Sequence, residues 1–139
     1  MLPVNCPKVD AMTNKTVALI GTFDTKGEEF SFLREQIENA GLRTLMIDVG
    51  VLGSPPFEAD ISQAEVAAAA NENLAALQTE RDRGRSVAAM AAGAKAILDR
   101  LFEQGAIHGV ASLGGSAGTT IATAAMRSCL LYTSDAADE

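Results

Sequence analysis

The sequence predicts an α/β chain: a three-layer Rossmann-like half-domain with a mostly parallel sheet, incomplete at its C-terminal end. Three observations predict it. Short apolar runs alternate with segments whose apolar residues recur at helical spacing. Each run ends in a polar or glycine-rich loop. The resulting order, βα, βα(α), βα, requires parallel strands, because strands separated by helices run in the same direction and are joined by right-handed crossovers.

The elements follow in order. Residues 1–15 are polar, carry Pro3 and Pro7, and read as a loose lead-in. Thr16 to Ile20 is the first strand. Thr25 and Glu28 have the spacing of a capping box, in which the hydroxyl accepts from a free helix N–H and the carboxylate reaches back to the cap. Phe30, Leu33, Ile37 and Ala40 then form one buried helical stripe, and Gly41 ends the helix. Leu42 to Val49 is the second strand, nearly continuous in apolar residues, as in a strand covered on both faces. Two glycines and a proline pair make residues 50–56 a loop. Ser62 and Glu65 form a second capping box, opening an Ala-rich helix through about Asn73. Arg81 to Gly84 is a polar break. From Arg85 a long helix presents Val87, Met90, Ala91, Ala94, Ile97, Leu98 and Leu101 on one face and closes at Gly105. His108 to Leu113 is the third strand, Gly114 to Thr120 a glycine-rich turn, and Ile121 to Arg127 a helix. Residues 16–127 thus form one partial subdomain. Ser128 to Glu139 continue no helical stripe and read as a non-native tail on a truncated frame, the alternative being a natural acidic terminus.

The composition narrows the function classes. With 139 residues, 47% hydrophobic and 21% charged, the chain is globular with a core of its own. Aromatics are only 4%, so that core rests on Ala, Val, Leu, Ile and Met. A net charge of −7 argues against a broad nucleic-acid or anionic-membrane surface, while leaving room for a small anion site built from backbone N–H groups. Cys6 and Cys129 have no metal-ligand spacing and fit a reduced compartment. Residues 1–15 lack a signal-peptide core, and no apolar stretch reaches a membrane span, so the expected location is cytoplasmic.

Parallel strands put the loops that follow them at one edge of the sheet, where open α/β sheets bind ligands. Segments 21–29, 48–54 and 114–120 should therefore converge. Gly114, Gly115, Ser116, Gly118 and Thr119 lie between a strand and a helix. The N–H groups and dipole of a helix start favour an anion there, glycines admit it to the backbone, and the hydroxyls of Ser116, Thr119 and Thr120 add donors. A plain tight turn is the other reading. No Lys follows the last glycine, so this is not a Walker loop, and the spacing lacks the G-x-G start of the dinucleotide fingerprint. Gly21, Thr22, Thr25 and Lys26 would add a second phosphate contact. Asp24, Glu28 or Glu29 would hold a Mg²⁺ bound by the phosphates, since such ions need only one or two carboxylates; Glu28 reads better as a cap and Asp24 as the ligand. Asp48, at the end of the second strand, either accepts from ribose hydroxyls or caps the following turn. His108 lies at the opposite end of its strand and reads as structural. The Arg81–Arg85 cluster reads as a solvated helix start, though Gly84 to Ser86 has the chemistry to touch an anion. No nucleophile–base pair is recognisable.

Several separate blocks also occur, in this order, in one known family. They are Gly21 to Glu29; Ile47 to Val49; Asp60-Ile61 with Glu65 to Ala67; Arg83-Gly84 with Ala88 to Met90; and Leu113 to Thr119 with Ala122 to Arg127. Over about residues 16–127 the chain resembles the ATP-binding family typified by the tomato mosaic virus resistance protein, which has many bacterial and fungal members. The resemblance implies an N-terminal region of two Rossmann-like subdomains, of which this chain is most of the first. It implies ATP, with Mg²⁺, on Gly21 to Lys26 and Gly114 to Thr119. A C-terminal barrel carried by some members is absent. The plant member's viral replication-protein partner does not transfer. Ala117 is a mild departure, standing where relatives often carry glycine, and a missing second subdomain would leave half a site.

The expected role is therefore an ATP-binding module whose phosphates sit on strand-to-helix loops, with no complete catalytic site. The alternative is a fragment of an enzyme acting on a phosphorylated or nucleotide-activated metabolite. A third and weaker reading is an oligomerisation or inhibitory interaction domain. Expected partners are the nucleotide and a second Rossmann-like subdomain, with homo-oligomerisation left open and neither nucleic acid nor membrane.

Overall fold

The computed structural model describes residues 15–129. Its elements run β1 (Thr16–Gly21), α1 (Phe23–Asn39), β2 (Arg43–Asp48), α2 (Gln63–Ala69), α3 (Leu74–Glu80), α4 (Arg83–Glu103), β3 (Gly109–Ser112) and α5 (Ser116–Cys129). The lead-in up to residue 14 and the tail from residue 130 lie outside the described residues.

The three strands form one parallel sheet in the order β2-β1-β3, as the crossover pattern predicts. Ala18 pairs with Leu45 on one side and Val110 on the other, so β1 is central. Its continuous apolar run follows from that position: Ala18, Leu19 and Ile20 are all fully buried. Alternation then divides the core in two. Leu19 and Met46 face α1, where they meet Phe23 and Phe30. Ala18, Ile20 and Ile47 face α2, α4 and α5, where they meet Val66, Met90, Ala94, Ile97 and Ile121. Two helical layers thus sandwich one sheet. Each Val, Leu, Ile, Phe or Met side chain fully buried in this way contributes about 1.5–3 kcal/mol.

Packing on the second face depends on Gly93. A Cβ there would overlap the backbone carbonyl of Val66, so the glycine lets α4 lie directly on α2. Gly41, at φ 94, supplies the left-handed turn that ends α1 and leads into β2. The outer edge of β2 is covered by Asp60 and Ile61: Ile61 N donates to Met46 O (2.9 Å), Asp48 N donates to Ile61 O (3.0 Å), and Met46 N donates to Asp60 Oδ2 (2.7 Å). Among the described residues β3 has no second strand neighbour, and no helix is long and apolar enough to cross a membrane.

Three local expectations are corrected. The Thr25–Glu28 capping box does not form, because α1 begins earlier. The carbonyl of Thr22 accepts from Thr25 N (3.1 Å) and Lys26 N (2.8 Å), so Thr25 lies inside the first turn. Its hydroxyl bonds back to Thr22 O (3.2 Å), and the backbone leaves helical geometry at Lys26. The Ala-rich helix stops at Ala69, with Asn71 at φ 60, and a separate helix, α3, follows. The glycine-rich turn is shorter than predicted, since α5 already starts at Ser116. By contrast the Ser62–Glu65 box is complete: Glu65 N donates to Ser62 Oγ (3.2 Å) and Ser62 N donates to Glu65 Oε1 (2.9 Å).

Candidate functional site

At the C-terminal edge of the sheet, the strand order switches sides at β1: β2 lies on one side and β3 on the other, all three running in the same direction. Open sheets leave a crevice at such a point. Here it is a cleft of about 910 Å³. Thr22, Asp24, Thr25 and Lys26 form one wall, and Val49 to Leu52 the next. The α3–α4 hairpin supplies Leu77, Gln78, Arg81, Arg83, Ser86, Val87 and Met90. The start of α5 adds Gly115 to Gly118 and Ile121. All three predicted loops reach this cleft.

The predicted site residues divide between lining and support. Thr22, Asp24, Thr25, Lys26, Gly115, Ser116 and Gly118 line the cleft. Gly21, Asp48, Gly114 and Thr119 do not. Gly21 is buried, and a Cβ on it would overlap the Phe30 ring. The Thr119 hydroxyl donates to Gly114 O (3.2 Å) and that of Thr120 to Ser116 O (2.8 Å). Because the helix starts at Ser116, these hydroxyls fall in its first turns and bond back to carbonyls at or just before its start. Gly118 sits where the two loops meet, and a Cβ there would lie 3.7 Å from Thr22 Oγ1, an ordinary contact.

Asp48 serves as a support. It is 1% exposed. Its Oδ1 accepts from Phe23 N (3.3 Å) and Gly50 N (2.9 Å), and its Oδ2 from Gln63 Nε2 (3.1 Å). Of its two sequence readings, turn capping is the one these bonds describe. The same carboxylate caps the start of α1 from another strand, where a negative charge suits the helix dipole. Burial, with a smaller push from the Asp24 charge, raises its pKa to about 6, against the pull of the two amides and Gln63. Asp48 faces a second depression of about 920 Å³, bordered by segment 53–60 and α2.

Asp24 stands in the cleft wall. Its Oδ2 accepts from Leu52 N (2.8 Å) and Gly53 N (3.1 Å), tying the β2–α2 loop to α1. Its Oδ1 is buried and has no hydrogen-bond partner. A Cβ on Gly50 would collide with this carboxylate, so the glycine makes room for it. Among the described residues no three His, Cys, Asp or Glu side chains gather. A Mg²⁺ here would be held by the Asp24 carboxylate together with phosphate and water oxygens, a donor set such ions accept.

The sequence reading missed the α3–α4 hairpin as a cleft wall. Leu77, Arg81, Arg83 and Met90 come from elements with no loop motif, and only the fold brings them to the sheet edge. The one available signal was the Arg81–Arg85 cluster. His108 lies at the far end of the sheet, where its Nδ1 accepts from Thr16 N (3.0 Å).

Comparison with known proteins adds the family. The model of the uncharacterised protein family UPF0261, N-terminal domain, matches residues 15–132. A UPF0261 protein of Clostridium tetani is 45% identical over 114 residues, covering 82% of this chain and 28% of the relative. One from Brucella suis is 42% identical over 106 residues, covering 76% and 25%. One from Rhizobium meliloti is 40% identical over 113 residues, covering 81% and 27%. The chain thus spans about a quarter of the length of these curated relatives. These matches correct the resemblance drawn from the sequence blocks: they are to UPF0261, and none points to the virus-resistance ATP-binding family. The nucleotide reading therefore loses that support and rests on the cleft alone.

Proposed function

This chain belongs to the uncharacterised protein family UPF0261 through its N-terminal domain, and we propose that the cleft of that domain binds a nucleotide such as ATP through its phosphates. The observation that carries this reading is the composition of the cleft. In a chain of net charge −7, Lys26, Arg81 and Arg83 line one concave surface together with the N-terminus of α5. The phosphates would lie against Gly115, Ser116 and Lys26, where amide donors, a hydroxyl and an ammonium group favour anions. Leu77, Val87, Met90 and Ile121 offer an apolar surface for the rest of the ligand. Asp24 would hold a Mg²⁺ bridging the phosphates, which would reduce their repulsion from its own charge.

The second reading, part of an enzyme acting on a phosphorylated metabolite, is favoured by the unpartnered Oδ1 of Asp24. A catalytic role is one of the few explanations for a buried polar atom without a partner, beside a bound ion or water.

Calorimetric titration of Mg²⁺–ATP into the chain and its Gly115→Asp variant tests the binding reading. A Cβ at Gly115 meets nothing within 4 Å, so the variant adds an anion to the cleft without a clash. Binding to the variant should be at least about tenfold weaker, the effect of roughly 1.4 kcal/mol of added repulsion. Equal affinity in the two proteins would overturn the reading. Turnover of phosphorylated metabolites by the chain would favour the enzyme reading instead.

A further inference from the structure

We propose that Arg83 is the phosphate-selecting residue of the cleft, so that the α3–α4 hairpin makes it a site for polyphosphates rather than for anions in general. This deepens the nucleotide reading and rests on the same cleft. Arg83 Nη2 donates to Ser116 Oγ (2.7 Å), joining the first residue of α4 to the first residue of α5 across 33 positions of sequence. A hydroxyl that accepts from arginine keeps its own proton for another acceptor. Ser116 is thereby set to donate to a ligand at the α5 N-terminus, beside the guanidinium. Arginine carries five N–H donors in a planar fork, and one bond to Ser116 leaves most of them for phosphate oxygens.

The neighbouring charges separate this role from ordinary helix-start solvation. Arg85, two residues on, pairs with Glu72 (2.8 Å) and Glu80 (2.6 Å) and does not line the cleft. Among the described residues Arg83, Arg81 and Lys26 make no ion pair, and all three line it. Arg81 sits at the hairpin bend with φ 56, a conformation uncommon for a side chain of its size. Asp82 is turned aside, its Oδ1 accepting from Arg85 N (3.0 Å). The hairpin therefore directs two cations to the cleft and keeps its acid on the helix. A ligand with several adjacent phosphoryl groups matches cations that come from two sides of the cleft. A single carboxylate would engage one side only.

The test titrates tripolyphosphate, ATP, adenosine and citrate into the chain and its Arg83→Ala, Arg83→Lys and Arg85→Ala variants, with thermal unfolding recorded for each. Arg83→Ala should weaken tripolyphosphate and ATP alike by about ten- to a hundredfold, the range for a lost charge-assisted hydrogen bond. Adenosine should be unaffected. Arg83→Lys should restore only part of the loss, since it keeps the charge without the fork. Arg85→Ala should bind as the unaltered chain does. Unchanged affinity in Arg83→Ala, or in Arg83→Lys should the alanine variant unfold, would overturn the inference and leave the nucleotide reading standing. Citrate binding as tightly as tripolyphosphate would overturn the selectivity. Arg83-dependent uptake of tripolyphosphate without uptake of ATP would leave the inference and remove the nucleotide reading. Uptake of neither would remove both.

Discussion

Replacing Asp48 with Asn should change how the stability of this chain depends on pH, in the direction opposite to most carboxylates. Asp48 is 1% exposed, and burial lifts its pKa from 3.8 to about 6. Below about pH 4 the group is neutral whether the chain is folded or not. As pH rises the unfolded chain gives up the proton first, and the folded chain keeps it until about pH 6. Folded protein therefore holds more protons within that window, and its stability falls as pH rises through it. The gap between the two pKa values corresponds to roughly 3 kcal/mol, reached in full above the folded value. Asn resembles the neutral acid and still presents an oxygen to Phe23 N and Gly50 N. Its amide meets Gln63 Nε2, which adds a penalty that does not change with pH. Urea denaturation followed by circular dichroism, at steps from about pH 4 to about pH 7, isolates the effect as the difference between the two proteins. Asp48→Asn should gain on the unaltered chain by roughly 3 kcal/mol across the range. A difference that stays constant, or moves the other way, would refute the assignment of a buried carboxyl with a raised pKa to this position.

Three other outcomes follow from the packing. Gly93→Val should cost about 2–3 kcal/mol or prevent folding, because its side chain meets the Val66 carbonyl, which cannot rotate away; unfolding at an unchanged denaturant midpoint would contradict the α2–α4 contact. Ser62→Ala should lower stability by about 1 kcal/mol through loss of the α2 cap, read from the same denaturation curves, whereas no loss would mean the box carries no weight. Among the described residues the outer edge of β3 is unpaired and is followed by exposed Leu113, and it should drive concentration-dependent association. Light scattering that finds only monomer up to high concentration would count against that.

The parallel sheet was legible because it depends on periodicity and order. The apolar run Val17 to Ile20, the stripe from Val87 to Leu101 and the glycine at residue 41 each report on neighbours a few positions away. The start of α1 was not legible for the opposite reason. Its cap is Asp48, on a different strand, so no local spacing announces it, and the local match of Thr25 with Glu28 pointed elsewhere. The cleft was half legible. Its loops follow strands and can be found from topology. Its opposite wall comes from two helices, of which the first was not legible in the sequence at all, while Met90 on the second reads as an ordinary core residue and Arg81 and Arg83 read as solvated charge. Asp48 shows the same limit: a carboxylate at a strand end has the position of a ligand group, and only its three hydrogen-bond partners show how it is engaged.

Amide hydrogen exchange of the chain, with and without Mg²⁺–ATP and read by mass spectrometry at low concentration, tests the proposed site most directly. The account predicts slowed exchange in 22–26, 49–52, 81–87 and 115–118, the segments that line the cleft. Protection confined to 54–65, beside the second depression, or none at saturating nucleotide, would contradict it.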